Sequence, residues 1–227
     1  MFTRLSVGFL ALCGTVFLMG CGGGGIGDKT NFRIMNATTD QTSITVMLDG
    51  TSVGSSIVYG SADDYAQTKS GSRHLQVEPA TSTTIFLDQT INLAGGTSNT
   101  AIIANSSSTS SAILLTDDNV ASTTTGNMKL RIVNAAPNLG TVDVYVLPSG
   151  TSINNATPAI NSLAFESSSD YLNLAAGTYS IVFTPHGSLF AFFNTGDISF
   201  NAGQNRTVVT LNSVSGGFTI GTLKDLN

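Results

Sequence analysis

The sequence predicts an all-β protein made of two tandem β-sandwiches, and three observations carry that expectation. Short segments alternate apolar and polar residues, as in Ser43-Ile44-Thr45-Val46-Met47-Leu48 and Thr141-Val142-Asp143-Val144-Tyr145-Val146. That period of two puts one face of a strand on a core and the other in solvent. Gly, Asn, Ser and Pro punctuate these segments at short intervals, and no helix-length window beyond Cys21 shows a capped i, i+3, i+4 apolar stripe. The third observation is internal repetition, which sets the domain organisation.

Phe32-Arg33-Ile34-Met35-Asn36-Ala37 aligns with Leu130-Arg131-Ile132-Val133-Asn134-Ala135 at an offset of 98 residues, and the same offset carries Ile44, Val46 and Leu48 onto Val142, Val144 and Val146. The second stretch then gains eight residues near Ser149 to Ala156. Beyond them Asp64-Tyr65, Gly71 and Pro79 align with Asp170-Tyr171, Gly177 and Pro185 at 106, and Gly96 and Thr100 with Gly203 and Thr207 at 107. Matches that stay in order, with shifts confined to loops, mark a duplication. Each unit, 30–119 and 128–227, has the length and strand rhythm of an immunoglobulin-like β-sandwich. A Ser/Thr-rich linker, 120–127, joins them. On this alignment Ile34 and Ile132 are equivalent core positions of the two first strands. The stretch from Asp117 to Asn127 is the expected site of a first proteolytic cut, giving two resistant fragments.

Ahead of both units lies a separate signal. Met1-Phe2-Thr3-Arg4 is followed by an apolar run, Leu5 to Met19, and then Gly20-Cys21. This is the layout of a cleaved secretory signal peptide, residues 1–20, and it is short of the roughly 20 apolar residues that span a bilayer. Leu18-Met19-Gly20-Cys21 resembles the lipobox recognised by signal peptidase II, Met19 being a less usual occupant. Cys21 is therefore the expected lipidation site, and Gly22 to Gly27 with its neighbours, 21–29, a flexible tether. The expectation is a lipoprotein of the bacterial cell envelope, held to the membrane through Cys21. Gly22 rather than Asp after the cysteine points to the outer membrane in a host that has two. Cys13 leaves with the signal, so the mature monomer can form no disulfide and no cysteine metal site.

Charge is sparse, 10% of residues against a usual ~25%. Without Arg4 the chain has eight basic and fourteen acidic residues, a net of −6. No basic stripe exists to bind nucleic acid, and the body has no cationic patch for anionic headgroups.

A family resemblance rests on Leu130-Arg131-Ile132-Val133-Asn134-Ala135-Ala136-Pro137, Val142-Asp143-Val144-Tyr145-Val146, Asp170-Tyr171-Leu172 and Ala176-Gly177-Thr178-Tyr179. These residues resemble the DUF4397 domain, found in exported bacterial proteins. The second unit resembles it along nearly its whole length. The first reads as a diverged version, lacking the Ala-Pro and the Ala-Gly-Thr-Tyr. Many members carry His where this chain has Asn36 and Asn134, so no role of that His is carried over. The resemblance implies a β-sandwich and an envelope address, and it implies no reaction.

Catalytic equipment is sparse. His74 alternates with Gln76 and Glu78 on a solvent face, and His186 sits in a Pro185-His186-Gly187 turn. Neither recurs in the other unit, and no Gly-x-Ser-x-Gly elbow is present. Asp64 and Asp170 recur, and a structural turn or pairing with Arg33 and Arg131 is expected of them. A carboxylate-dependent hydrolase working through Asp170 and Glu166 is the rival enzymatic reading, without a paired-acid motif to carry it. Asp117 and Asp118 offer oxygens for a stiffening calcium, against the plainer reading of a solvated turn. No cofactor is expected.

Aromatic residues are unevenly placed: four in the first unit, ten in the second. Between Met128 and Asn227 five acids oppose four bases, a net of −1; between Thr30 and Asn119 eight oppose three, a net of −5. Binding surfaces favour aromatic residues and avoid dense like charge. The expectation is a solvated stalk followed by a non-enzymatic head, with Tyr145, Tyr171, Phe190, Phe192 and Phe193 as its candidate surface. An envelope protein or a glycan is the partner class this leaves open.

Overall fold

Seventeen strands account for most of residues 28–226, the residues that the computed structural model describes. The expected signal, the lipobox Leu18-Met19-Gly20 and Cys21 lie outside the described residues. The first half holds β1 (Lys29–Thr38), β2 (Ser43–Leu48), β3 (Thr51–Val58), β4 (Ala66–Lys69), β5 (Gly71–Pro79), β6 (Leu87–Leu93), β7 (Ser98–Asn105) and β8 (Ser111–Asp117). The second half holds β9 (Asn127–Asn134), β10 (Val142–Pro148), β11 (Ile160–Leu163), β12 (Ser167–Ser168), β13 (Leu172–Ala175), β14 (Gly177–Pro185), β15 (Phe193–Phe200), β16 (Asn205–Asn212) and β17 (Phe218–Leu226).

Each half is a two-layer sandwich, and the two repeat one strand order. In the first, an inner sheet β4-β1-β7-β8 packs on an outer sheet β3-β2-β5-β6. In the second, the inner sheet is β12-β9-β16-β17, with β13 also on β9, and the outer is β11-β10-β14-β15. The parallel pairs fall at equivalent places, β1 on β7 and β9 on β16. Among the described residues no ladder joins the halves. The all-β sandwich expected from the alternating pattern is what forms.

Each sandwich closes on its own apolar core. Ile34, Ile44, Val46, Leu75, Val77 and Ile103 anchor the first. Ile132, Val142, Val144, Ile181, Phe183 and Val208 anchor the second. Ile34 and Ile132 are fully buried, as the repeat alignment requires.

The outer strands β2 and β6 keep the half-buried alternation, whereas β10 and β14 are each buried over four consecutive residues. The central strands of the inner sheets do not alternate either. Seven consecutive residues of β1, and all but the last of β7 and β16, are buried. A strand buried on both faces must be covered twice, and here the second cover is the other half. Met35 and Ala37 of β1, Ile102 of β7 and Leu115 of β8 form one cluster with Val133 of β9, Val209 and Leu211 of β16 and Leu223 of β17. The molecule is therefore four sheets deep, with the inner sheets back to back.

Strand direction is shared across this contact. Arg33 of β1 reaches the carbonyl of Lys224, which pairs with Arg206 at the start of β16. Gly60, bonded to Asn36 near the end of β1, lies against Leu211, and Tyr59 donates to Asn212 O at the end of β16. The starts of β1 and β9 thus lie at one end, the base. The β1–β2, β5–β6, β9–β10, β14–β15 and β16–β17 connections lie at the other, the tip.

The connection between halves runs along the base and is tied to the second half. Asn205 Nδ2 donates to Asp118 O (2.6 Å) and to Val120 O (2.9 Å), and Lys129 Nζ also reaches Val120 O (2.9 Å). Asp117 belongs to β8 and is buried, so the exposed stretch begins at Val120. Limited proteolysis is expected to nick 121–125 first. The two fragments should then co-elute in size exclusion, held by the apolar face between them. Fragments that separate without denaturant would show that the back-to-back contact does not persist in solution.

Candidate functional site

The β14–β15 connection at the tip has a twin at β5–β6, and the pair works as an internal control. Ser188 N donates to Pro185 O (2.9 Å) as Ser82 N does to Pro79 O (3.0 Å). Phe190 N donates to Ser188 Oγ (3.0 Å) as Thr84 N does to Ser82 Oγ (3.1 Å). Phe192 N closes on Phe183 O and Phe86 N on Val77 O, both at 2.9 Å. The turns share one construction and differ in what they carry: Thr83-Thr84 followed by Ile85, 41% exposed, in the first half, and Leu189-Phe190 followed by Ala191 in the second.

Leu189, Phe190 and Phe192 are 54%, 71% and 45% exposed. Phe192 meets Phe218 edge-on with centroids 5.1 Å apart, and Phe193 turns inward, stacked on Phe183 at 5.6 Å. A polar pair satisfies the same turn, so folding of the turn does not require an exposed Leu and Phe. Apolar side chains held in water at a rigid turn are what a contact surface looks like.

Beneath the second turn lies a clamp that the first lacks. Asp143 is buried; its Oδ1 accepts from Ser162 N and His186 Nδ1 (2.8 Å each), and its Oδ2 from Gly187 N (2.8 Å). The equivalent residue of the first half is Thr45. Burial pushes the Asp143 carboxyl up, but the hydrogen bonds from His186, Gly187 and Ser162 outweigh it and hold the group below its ordinary value. A depressed folded-state pKa means the clamp contributes fully above the unfolded value near 3.9 and is lost as pH falls through the lower folded value. Asp143→Asn should therefore loosen residues 186–192 at neutral pH. Wild type should show the same loosening only in acid, as pH falls below the ordinary carboxyl value near 4. Amide exchange of Gly187 is the measurement; equal protection in mutant and wild type at pH 7 would remove the clamp from the argument.

Of the other candidate aromatics, Tyr145 is buried beneath the inserted loop, with Leu147, Val182, Ile153 and Ala156. Tyr171 is half-buried at the contact between halves. Neither belongs to the exposed surface, because each ring covers a sheet face that another segment closes over. The surface that remains is Phe190 and Phe192, joined by Leu189.

Tyr171 belongs instead to a ring of charge between the inner sheets. Arg33 Nη2 pairs with Asp225 Oδ1 (2.7 Å) and lies 3.6 Å from Asp117 Oδ2. Reciprocally, Arg131 Nη2 pairs with Asp117 Oδ1 and lies 3.9 Å from Asp225 Oδ2. Thr100 and Tyr65 donate to Asp117 (2.5 and 2.7 Å) as Thr207 and Tyr171 do to Asp225 (2.6 and 2.8 Å). Each guanidinium lies over a tyrosine ring, Arg33 on Tyr65 and Arg131 on Tyr171, at 4.3 and 4.6 Å. Burial, together with the adjoining carboxylates, raises both phenols well above their ordinary value, so both remain donors.

This corrects the expected pairing of the recurring arginines with Asp64 and Asp170. Both of those carboxylates are exposed, while Asp117 and Asp225, at the ends of β8 and β17, reach across from the opposite half. The turns before Tyr65 and Tyr171 are held by the preceding residues: Ile34 N donates to Asp63 Oδ1 (2.6 Å) and Ile132 N to Ser169 Oγ (3.0 Å). Two small clefts flank the ring, about 250 and 230 Å³, one beside Asp63 and Asp64 and one beside Asp170.

The suggested calcium oxygens are occupied. Asp117 is within the ring, and Asp118 salt-bridges Lys129 and accepts from Val120 N. Among the described residues no cluster of three or more His, Cys, Asp or Glu side chains is placed to hold a metal. His74 is half-exposed and pairs with Asp88; His186 is more exposed and belongs to the clamp. Glu166 accepts from Ser111 Oγ across the contact between halves (2.5 Å). Asn36 and Asn134 are fully buried and staple tip connections, Asn36 Nδ2 to Ile57 O (3.0 Å) and Asn134 Nδ2 to Gly140 O (2.7 Å). A cavity of about 580 Å³ lies at the base among Lys29, Asn31, Gln67, Asp118 and Val120. All eight Lys and Arg of 28–226 lie on strands toward the base or mid-length, leaving the tip without a cation.

Comparison with solved structures gives distant likenesses only. A streptococcal virulence factor that binds α-glucan has a TM-score of 0.25 at 8% identity, covering 79% of this chain and 92% of its own. A family 26 carbohydrate-binding module from Eubacterium rectale, solved with maltoheptaose, has 0.27 at 8%, covering 86% and 96%. A Bacteroides fragilis protein described as a putative cell adhesion protein has 0.21 at 10%, covering 82% and 84%. Likeness at this level carries nothing about ligands. No curated protein matches the chain. One protein family does, described as a domain of unknown function, DUF4397, over residues 30–145. Those residues run from β1 through the whole first half into β10, so the half with the more diverged motifs carries the match, and this chain belongs to the DUF4397 family.

Proposed function

We propose that this protein is a lipoprotein of the bacterial envelope, anchored through Cys21, whose body is a non-enzymatic binding or structural module. On this reading the second half is a further copy of the family domain. The single observation that carries a binding role is the exposed Leu189-Phe190 on a turn that its Thr83-Thr84 twin builds equally well. The architecture supports it. The chain enters the folded body at the base, on Lys29, and the aromatic turn projects from the tip. An anchor at one end and a contact at the other would hold the head away from the membrane, in the outer leaflet's direction or the periplasm's according to the face that is lipidated. The absence of cations at the tip argues for an apolar protein surface or a neutral glycan as partner, and against nucleic acid.

The test compares lipidated wild type with a variant carrying Leu189→Thr and Phe190→Thr, the first half's own turn. Thermal unfolding should be unchanged within about 0.5 kcal/mol, while the partner retained in a pull-down from the native envelope is lost. Retention of the same partner by both proteins sinks the tip as the contact. In parallel, Cys21→Ala should accumulate as uncut precursor without palmitate label, and persistent label in that variant removes the anchor.

A further inference from the structure

The ring of charge is not only reciprocal; the whole face around it is. Arg33, Tyr65, Thr100 and Asp117 occupy the places of Arg131, Tyr171, Thr207 and Asp225; each arginine pairs with the aspartate of the other half, and each threonine and tyrosine donates to the aspartate of its own. The apolar surround follows the same relation, with Ala37 and Ala135, Ile102 and Val209, Leu115 and Leu223 in equivalent positions of one cluster. Contacts in which residue i of one unit meets j of the other, and j meets i, define an isologous two-fold interface. Here the axis lies between two halves of one chain.

In its apolar packing, one pair of facing positions departs from the symmetry. Gly221 pairs with Val209 on the inner sheet as Ile113 pairs with Ile102. A Cβ at Gly221 would stand on Met35 Cε and lie 3.1 Å from Gly60 O. The residue equivalent to Met35 is Val133. The contact is large-on-small on one side, Met35 over Gly221; the two-fold relation makes it medium-on-medium on the other, Val133 with Ile113, both in the same cluster. Two first halves brought together would set Met35 against Ile113, an overpacked contact. Two second halves would leave Val133 over Gly221, a hole.

We propose that this face is a self-complementary interface whose partner is a second copy of the same domain, satisfied here within one chain, and that the Met35–Gly221 fit makes it selective for the unlike half. Specificity of this kind needs an element that penalises the wrong pairing as well as one that favours the right one, and a single exchange of bulk across the axis supplies both.

The first test is a cycle in the full chain. Gly221→Ile alone should lower the thermal midpoint by more than about 5 °C. Adding Met35→Val recreates the Val–Ile pairing of the twin site and should restore the midpoint to within about 2 °C of wild type. A tolerated Gly221→Ile, or a failure of Met35→Val to rescue it, overturns the two-fold equivalence.

The second test is a chain of the same plan in which residues 28–118 are replaced by a second copy of 127–226. It should fold with its halves paired, and Arg131→Ala in one copy should lower the midpoint of the whole. Val133→Met in one copy should raise it by filling the space over Gly221. Halves that unfold independently, or a chimera that does not fold, overturn self-complementarity, since each half already supplies every strand and core residue of its own sandwich.

Discussion

Asp225→Ala is expected to cost about 3–5 kcal/mol of stability, the range for removing one partner of a buried charge pair. The carboxylate is buried and accepts from Arg33, Thr207 and Tyr171 at 2.6 to 2.8 Å, so its loss leaves Arg33 with only the longer 3.6 Å contact to Asp117, which Arg131 already uses, and two hydroxyls without this acceptor. Arg33 sits in the first half and Asp225 in the second. The destabilisation should therefore appear in both halves when chemical denaturation is followed residue by residue. By the reciprocal geometry, Asp117→Ala should match it within a factor of two. Replacing the whole ring with apolar residues should cost less than either single change, because desolvation of the charges opposes their attraction. A loss below about 1 kcal/mol for Asp225→Ala would mean that water reaches the ring and the inner sheets part readily.

Ile132→Ala and Ile34→Ala are expected to cost about 2–5 kcal/mol each. Both side chains are fully buried at the centre of their own sandwiches and point away from the contact between halves. Substitutions far apart with no shared partner should add, so the double mutant should lose the sum within about 0.5 kcal/mol. Urea unfolding with unchanged slope would confirm a pure stability effect. A shift of less than a degree for both would invert the assignment of faces on β1 and β9.

The sandwiches were legible because outer strands such as β2 and β10 carry the alternation of a half-buried sheet, and because the repeat fixed equivalent positions without any knowledge of pairing. The back-to-back contact was not read, and the reason is visible in β7. Ser98-Asn99-Thr100-Ala101-Ile102-Ile103-Ala104 is buried throughout, yet its polar residues hide that burial from any hydropathy pattern. Asn99 and Thr100 are buried because Thr30 and Arg33 of β1, Asp117 of β8 and the adjacent Thr97 satisfy them, and all but Thr97 come from other strands. Arg33 and Arg131 recurred in the sequence, but their carboxylates lie 192 and 14 residues away, in both cases across the linker in the opposite half. Local spacing pointed to Asp64 and Asp170 because it cannot see an exchange between repeats. The aromatic surface was half legible: composition singled out the second half, but only coordinates separate Phe190, on a turn, from Tyr145, under a loop.

The shared direction of β1, β7, β9 and β16 has a mechanical consequence. A pull between the start of β1 and the β14–β15 turn acts nearly along the strands. The β1–β7 ladder holds eight consecutive registers, Asn31 with Ser98 to Thr38 with Asn105. Loaded lengthwise, these bonds share the force and must fail together, whereas a sideways load would open them one at a time. The second half takes its share through the apolar contact and the charge ring, which resist sliding because each arginine is locked between an aspartate at one strand's end and a tyrosine just ahead of another strand. The body is built to bear tension from base to tip, and its weakest direction is the one perpendicular to the strands.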